Sequence, residues 1–135
     1  MAIPSEGPAT TILVIDDQAF FTTMLRNVLE QHGYKVVAAS NGPDGIAAAR
    51  QFKPDAILLD VEMPAMDGFT VCQALKADAA LRHIPVMILT STDDAKLNKK
   101  AFAAGADITA LKAVSGERLV NTLRLALMQR PPSAS

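Results

Sequence analysis

Five short apolar runs recur along the chain, and longer segments with a helical spacing of apolar residues separate them. The runs cover residues 12–15, 36–39, 56–59, 86–89 and 108–111. Several of them are apolar at every position, which is typical of strands whose two faces are both covered by helices. The pattern therefore predicts an α/β fold in which five βα units form one parallel sheet.

The segments between the runs carry helix start and stop signals. In the first segment apolar side chains recur at helical spacing up to Leu29, and Gly33 then supplies a stop. Polar residues that can cap a helix stand before the fourth and fifth segments, at Asp94 and Ser115. We predict helices over residues 18–31, 43–52, 94–104 and 116–128, and a further helix that begins at Asp67 and Gly68.

The length of the chain, 135 residues, suits a single domain. Half of the residues are apolar and a fifth are charged, which is typical of a globular rather than a disordered chain. The opening segment contains Pro4 and Pro8 and has the composition of a loop. We expect a flexible segment at residues 1–10, one domain at 11–129 and a tail at 130–135.

The balance of charge argues against nucleic acid as a direct partner. Thirteen basic residues stand against fourteen acidic ones, so no long-range field attracts a phosphate backbone. No signal peptide is evident, and no apolar run approaches the ~20 residues that a membrane helix needs. We therefore expect a cytoplasmic protein without a membrane partner. The single cysteine, Cys72, lies in a helical run and is expected to be a buried packing residue.

Polar side chains stand at the carboxyl ends of four of the five predicted strands. Asp16 and Asp17 follow the first strand, Asp60 the third, Thr90 the fourth and Lys112 the fifth. Ligands of open parallel sheets bind at this edge, so we expect these side chains to converge. Converging carboxylates repel one another unless a cation neutralises them, and Mg²⁺ leaves coordination positions free for phosphoryl oxygens. The constellation favours phosphoryl transfer to a carboxylate, with Asp60 as the nucleophile.

Each of these residues also has a simpler interpretation. Asp16 and Asp17 are suited to capping the first helix, Lys112 to an exposed surface, and Thr90 to the end of a strand. These separate roles would have to coincide at one edge of the sheet, so we favour the joint interpretation. Outside the constellation, Asp107 is expected to be an ordinary solvated or capping residue.

Four segments carry a resemblance to a known family. Residues 12–17 read ILVIDD, residues 58–64 read LLDVEMP and precede Asp67 and Gly68, residues 88–90 read ILT, and residues 104–107 read AGAD. In this order and spacing they resemble the CheY-like receiver domains of two-component response regulators, over residues 11–128. The resemblance implies a flavodoxin-like, doubly wound five-stranded sheet with the strand order 2-1-3-4-5.

The resemblance also implies roles for the acidic residues. Asp60 would accept a phosphoryl group from a phosphohistidine of a sensor histidine kinase or of a histidine phosphotransfer protein. It would do so as a signalling step and not as a turnover enzyme. Asp17 and Asp60 would bind Mg²⁺ directly, Asp16 would act through a water molecule, and the backbone carbonyl group of Glu62 would complete the protein ligands.

Thr90 and Lys112 match the family's hydroxyl group and lysine that contact the phosphoryl oxygens. Side chains at the positions of Glu62 and Thr92 tune the lifetime of the phosphorylated aspartate in such proteins. Phosphorylation would draw Thr90 inward, shift the loop that holds Ser91 and Thr92, and change the face made by the fourth helix, fifth strand and fifth helix. A downstream effector protein or an output domain would bind that face.

Two positions depart from the family's pattern. Thr109 occupies the place of an aromatic residue whose rotation commonly reports phosphorylation, and Ala113 replaces the proline that usually follows the lysine. We expect a trans bond between Lys112 and Ala113, because a cis bond before a residue other than proline costs ~3 kcal/mol. We also expect an altered loop before the fifth helix.

Other functions stay open at this point. A haloacid-dehalogenase-type phosphatase also uses an aspartate after a parallel strand, but it usually has a second aspartate two residues later, where this chain has Glu62. A flavodoxin-like cofactor module would need a phosphate-binding loop where the acidic pair repels anions. The chain is also interpretable as a receiver cut from a longer regulator. Leu119, Leu125 and Met128 suggest an apolar patch for a partner or for a phosphorylation-dependent homodimer.

Overall fold

The computed structural model describes residues 10–113 and 116–129 and contains one sheet of five parallel strands. The strands are β1 (Thr11–Ile15), β2 (Lys35–Ala39), β3 (Ala56–Asp60), β4 (Val86–Thr90) and β5 (Ile108–Leu111). Their spatial order is β2-β1-β3-β4-β5, and every neighbouring pair is parallel. The predicted fold class and strand order are confirmed, and no strand boundary moves by more than one residue.

Five helices connect or follow the strands in the described ranges. They are α1 (Ala19–Gln31), α2 (Gly42–Phe52), α3 (Gly68–Ala77), α4 (Ala95–Ala103) and α5 (Gly116–Gln129). The side chains of Asn41, Asp67 and Asp94 cap α2, α3 and α4 by accepting a backbone N–H of the first turn. Helix α2 begins one residue before the predicted Pro43, because the cap at Asn41 sets its start. The predicted cap Ser115 lies outside the described residues.

The helices cover both faces of the sheet. Helices α2, α3 and α4 cover one face, where alternate strand residues such as Leu13, Ile57 and Ile88 are buried. Helices α1 and α5 cover the other face, against strand residues of opposite parity such as Val14. Burial of both faces explains why the central strands are continuous apolar runs. Cys72 is buried as predicted, and its burial raises the pKa of the thiol to about 11.

The predicted apolar patch on the last helix is only partly present. Leu119 is buried, because it packs against the sheet with Val120 and Leu123. Leu125 and Met128 are exposed, so the hypothesis of a dimer contact now rests on these two residues. None of the helices in the described ranges is long and apolar enough to cross a membrane.

A lysine near the end of α3 ties together the amino ends of β4 and β5. Lys76 donates hydrogen bonds to the carbonyl oxygens of Arg82 (3.1 Å) and Ile84 (2.9 Å) and to Oδ2 of Asp107 (2.9 Å). The same carboxylate oxygen accepts the backbone N–H of Val86 at 2.8 Å. Asp107 is 46% exposed, as expected of a solvated residue, and its carboxylate in addition joins α3 to the starts of two strands.

Candidate functional site

Three carboxylates meet at the carboxyl edge of the sheet. Asp16 and Asp17 follow β1, and Asp60 is the last residue of the neighbouring strand β3, in which Leu59 pairs with Ile15. One oxygen from each of the three carboxylates lies within 4.8 Å of the other two. Asp16 and Asp60 are buried, whereas Asp17 is exposed. The fold therefore brings together the acidic residues that the sequence placed after separate strands.

Burial dominates the electrostatics of Asp60. Desolvation raises the pKa of its carboxyl group from 3.8 to about 6, and the negative charge of Asp16 adds to the rise. The backbone N–H of Glu62, 3.3 Å from Oδ1, and the charge of Lys112 lower the pKa, while Asp17 makes a smaller upward contribution. A bound cation would remove this excess of negative charge.

Lys112 follows β5 and reaches across to the acidic group. Its Nζ atom lies 2.9 Å from Oδ2 of Asp16, 3.6 Å from Oδ1 of Asp60 and 2.7 Å from Oε1 of Gln18. It also lies 4.4 Å from the centroid of the Phe21 ring, a cation–π contact. The side chain is only 13% exposed, so the alternative of a solvated surface lysine is wrong. Neither Gln18 nor Phe21 carries a sequence signal for this contact, because each lies far from the lysine along the chain.

Asp16 has one satisfied and one poorly satisfied oxygen. Oδ1 accepts the backbone N–H of Gln18 at 2.8 Å, but Gln18 precedes α1, so Asp16 does not cap an N–H of the first turn as the alternative required. Oδ2 is buried and accepts no hydrogen bond of good geometry within the described residues, and its contact there is the ion pair with Lys112. A buried carboxylate oxygen short of donors suits a hard cation or a water bound to one, so the acidic group fits Mg²⁺.

Two hydroxyl groups organise the loops beside Asp60. The side chain of Thr90 is buried, and its hydroxyl group donates to the carbonyl oxygen of Thr92 at 2.8 Å. The hydroxyl group of Ser91 donates to Oε1 of Glu62 at 2.9 Å and so links the loop after β4 to the loop after β3. Ser91, Thr92 and Glu62 are all exposed. Three of the predicted switch and tuning residues, Glu62, Ser91 and Thr92, thus lie in two loops that a hydrogen bond joins, whereas the fourth, Thr109, lies on β5.

A glycine lets α3 approach the strand end closely. A Cβ atom at Gly68 would overlap the carbonyl oxygen of Asp60 and would lie 2.7 Å from Cα of Val61. Both neighbours are backbone atoms, which cannot rotate away as a side chain can. The backbone N–H of Gly68 donates to the carbonyl oxygen of Val61 at 3.1 Å and closes the loop. The contact distance therefore requires a glycine at position 68.

The two departures from the family pattern lie at and just after β5. Thr109 is half-buried and lines a cavity of about 270 Å³ together with Thr90 and Asp93, and no aromatic residue is among the described residues that line it. The bond between Lys112 and Ala113 is trans, as predicted, since the described residues contain no cis peptide bond. The remainder of the predicted altered loop, residues 114–115, lies outside the described residues.

Comparison with known sequences identifies the family. The family model of the response regulator receiver domain matches residues 12–124. Protein PilH of Pseudomonas aeruginosa is 39% identical over 116 residues, which cover 86% of this chain and 96% of PilH. The alkaline phosphatase synthesis transcriptional regulatory protein PhoP of Bacillus subtilis is 36% identical over 92% of this chain, which spans 50% of PhoP. The chain thus spans nearly all of one relative and half of another.

Solved structures agree with the sequence matches. The chemotaxis protein CheY4 of Vibrio cholerae is similar with a TM-score of 0.85 at 28% identity, covering 88% of this chain and 99% of that one. The BeF3-activated receiver domain of Klebsiella pneumoniae RstA gives a TM-score of 0.80 at 29% identity, covering 89% of this chain and 100% of that one. None of these matches is to a phosphatase or a flavin-binding module. The chain therefore belongs to the response regulator receiver domain family of two-component signal transduction.

Proposed function

We propose that Asp60 accepts a phosphoryl group from a phosphohistidine and that the phosphorylated form is the signal. The observation that carries the proposal is its position: the carboxylate is buried at the sheet edge, beside two further carboxylates and the ammonium group of Lys112. Its pKa, raised by burial to about 6, leaves it mostly ionised at neutral pH and able to attack phosphorus. Transfer breaks the N–P bond of the phosphohistidine, forms an O–P bond to Asp60, and returns the electron pair to the imidazole.

The acidic group is proposed to hold Mg²⁺ for this reaction. Asp17, Asp60 and the backbone carbonyl group of Glu62 would bind the ion, and Asp16 would act through a water molecule, which fits its donor-poor Oδ2. Bound Mg²⁺ supplies neutralisation of the negative charge on the phosphoryl oxygens. The three carboxylates would otherwise present an anionic surface to an anionic group.

Thr90 and Lys112 are proposed to contact the phosphoryl oxygens. The ammonium group lies 3.6 Å from Oδ1 of Asp60, so a small movement brings it to a group attached there. The hydroxyl group of Thr90 must give up its hydrogen bond to Thr92 in order to reach the same group. That exchange would release the loop that contains Ser91 and Thr92, and this release is the proposed switch.

The proposed donor is a sensor histidine kinase or a histidine phosphotransfer protein, and the proposed compartment is the cytoplasm. A downstream effector protein or an output domain would bind the face formed by α4, β5 and α5. Thr109 shares a cavity with Thr90, which connects the switch to that face. Glu62, held by Ser91, and Thr92 are proposed to set the lifetime of the phosphorylated state by limiting the access of water to phosphorus.

The test is incubation with acetyl phosphate and Mg²⁺, followed by intact-mass measurement. The parent protein is expected to gain one phosphoryl group, and Asp60→Asn is expected to gain none. Asp44→Asn is the matched control, because Asp44 is an exposed aspartate at the start of α2 and should leave acceptance unchanged. A parent that stays unmodified, or an Asp60→Asn variant that is modified, would contradict the proposal.

A further inference from the structure

Gln18 makes two contacts that join the acidic group to the lysine. Its backbone N–H donates to Oδ1 of Asp16 at 2.8 Å, and its side-chain Oε1 accepts a hydrogen bond from Nζ of Lys112 at 2.7 Å. The same ammonium group lies 2.9 Å from Oδ2 of Asp16. Gln18 and Asp16 therefore both contact the ammonium group of Lys112. Gln18 lies 94 positions away from this lysine in the sequence.

An aromatic ring helps to fix the same ammonium group. The nearly buried ring of Phe21, one turn into α1, lies with its centroid 4.4 Å from Nζ of Lys112. An unrestrained lysine side chain samples many rotamers, and its ordering costs entropy. Because the amide, the carboxylate and the ring all favour one position of Nζ, that cost is met before any ligand arrives.

The start of α1 does not explain a glutamine at this position. Gln18 is the N-cap residue, where short polar side chains are preferred because they accept a backbone N–H of the first turn. The side chain of Gln18 makes no such capping hydrogen bond. Its amide oxygen is used for Lys112 instead, so the contact with the lysine accounts for the orientation of the side chain.

The ammonium group has one donor to spare. Of its three N–H groups, one donates to Oε1 of Gln18, and the ion pair with Oδ2 of Asp16 holds the ammonium group without a hydrogen bond of good geometry. Within the described part of the chain no further acceptor lies at hydrogen-bond distance from Nζ, since Oδ1 of Asp60 is 3.6 Å away. A phosphoryl oxygen on Asp60 would supply that acceptor. A neutral amide suits the anchoring position, because another carboxylate would compete with the phosphoryl group for the charge of Lys112.

We propose that Gln18 is a positioning residue for phosphoryl acceptance, which anchors Lys112 so that the remaining N–H of its ammonium group faces the acceptor oxygen. This inference rests on the proposed function, because it concerns the lysine that contacts the phosphoryl group. Gln18 acts through Lys112 and needs no contact of its own with phosphorus.

The variant Gln18→Met tests the anchor, because methionine keeps the length of the side chain and removes the amide oxygen. We expect the maximal rate of phosphorylation by acetyl phosphate with Mg²⁺ to fall about tenfold, as for the loss of one hydrogen bond to a charged group. The donor concentration at half-maximal rate should change little, and a change confined to that concentration would overturn the proposal. Gln51→Met, at an exposed glutamine near the end of α2, is the control and should keep the parental rate.

A second readout, NMR of the Lys112 ammonium group without phosphate, does not depend on phosphoryl transfer. Gln18→Met should shift the Nζ resonance and speed the exchange of its protons, whereas Gln18→Glu, which keeps an acceptor oxygen, should retain slow exchange. An unchanged resonance in Gln18→Met overturns the anchor, even where Asp60 is phosphorylated. If the resonance shifts in Gln18→Met but the parent protein accepts no phosphoryl group, the proposed function is overturned. The positioning role is then overturned as well, and only the contact between Gln18 and Lys112 is supported.

Discussion

Two lysines at opposite edges of the sheet make similar ion pairs in different surroundings. Lys76 and Lys112 have 19% and 13% of their side chains exposed, and each lies 2.9 Å from an aspartate oxygen. Lys76 donates to Asp107 and to two carbonyl groups, so all three of its donors are used. Lys112 donates a hydrogen bond to Gln18 and makes an ion pair with Asp16 without a well-aligned hydrogen bond, and it has no further acceptor at hydrogen-bond distance among the described residues.

The aspartates beside the two lysines also differ in how fully their oxygens are hydrogen-bonded. Oδ2 of Asp107 accepts two hydrogen bonds, from Lys76 and Val86, and the side chain is 46% exposed, so water can satisfy the rest. Asp16 and Asp60 are buried beside each other, and Oδ2 of Asp16 lacks a well-aligned donor. The pair of Lys76 and Asp107, whose hydrogen bonds are all made, stabilises the fold. The buried pair of Lys112 and Asp16 has unused donors and acceptors and is therefore suited to binding a ligand.

The largest effect on phosphorylation is expected for a substitution of Lys112. Lys112→Met removes the spare donor and its charge, so phosphorylation by acetyl phosphate should slow by about 100- to 1,000-fold, as for the loss of a preorganised electrostatic contact. Stopped-flow or intact-mass time courses measure the rate, and circular dichroism checks the fold. Lys99→Met, at an exposed lysine of α4, is the control. A rate for Lys112→Met close to that of the control would mean that the spare donor has no part in the reaction.

The next effect concerns the pH dependence of stability in the metal-free protein. Because burial raises the pKa of Asp60 from 3.8 to about 6, the folded state binds this proton more tightly than the unfolded state does. The contribution of Asp60 to the free energy of unfolding should therefore fall as the pH rises through this range, by up to about 3 kcal/mol. Asp60→Asn should lack this fall and be more stable than the parent at pH 7.

Urea denaturation from pH 4 to pH 7 with a chelator measures the difference between the two proteins. Mg²⁺ added at pH 7 should stabilise the parent more than Asp60→Asn, because the ion supplies the charge that desolvation and Asp16 make necessary. Identical pH profiles for parent and variant would show that the carboxyl group of Asp60 is not the one that titrates.

A smaller effect, and one on stability alone, is expected at the other lysine. Lys76→Met leaves Asp107 and two carbonyl groups without their charged donor, which should lower the free energy of unfolding by about 2 kcal/mol. Phosphorylation of the folded variant should stay within about twofold of the parent, because the tie lies at the far edge of the sheet. Denaturant unfolding measures the stability of the variant, and the mass assay measures its phosphorylation. A large loss of phosphorylation would contradict the assignment of a purely structural role to Lys76.

The smallest effect is expected where the site meets solvent. Ser91→Ala removes the hydrogen bond to Glu62 that links the two loops, and both side chains are exposed. The free energy of unfolding should change by less than about 0.5 kcal/mol. The lifetime of the phosphorylated state should change several-fold, because the freed carboxylate of Glu62 no longer holds one position beside Asp60. A lifetime equal to that of the parent would assign the bond to loop structure only.

The strands and helices could be predicted because the sequence patterns that mark them are local. Continuous apolar runs mark the strands, and caps such as Asp67 and Asp94 mark the helices within a few residues of their own position. Leu119 was predicted to lie on the surface, but it is buried. The apolar periodicity of a helix locates the middle of its buried face more clearly than the edges of that face. The acidic group was predictable because strand ends of a parallel sheet share one edge.

By itself, the sequence determined the strand order through the family pattern and the residues that gather at the carboxyl edge of the sheet. Only the tertiary structure decided how completely each charge is satisfied. Gln18 contacts Lys112, and Asp107 contacts Lys76, over separations of 94 and 31 positions. Contacts of that range depend on where folded elements place their atoms, so no spacing along the chain distinguishes the saturated lysine from the one with a donor to spare.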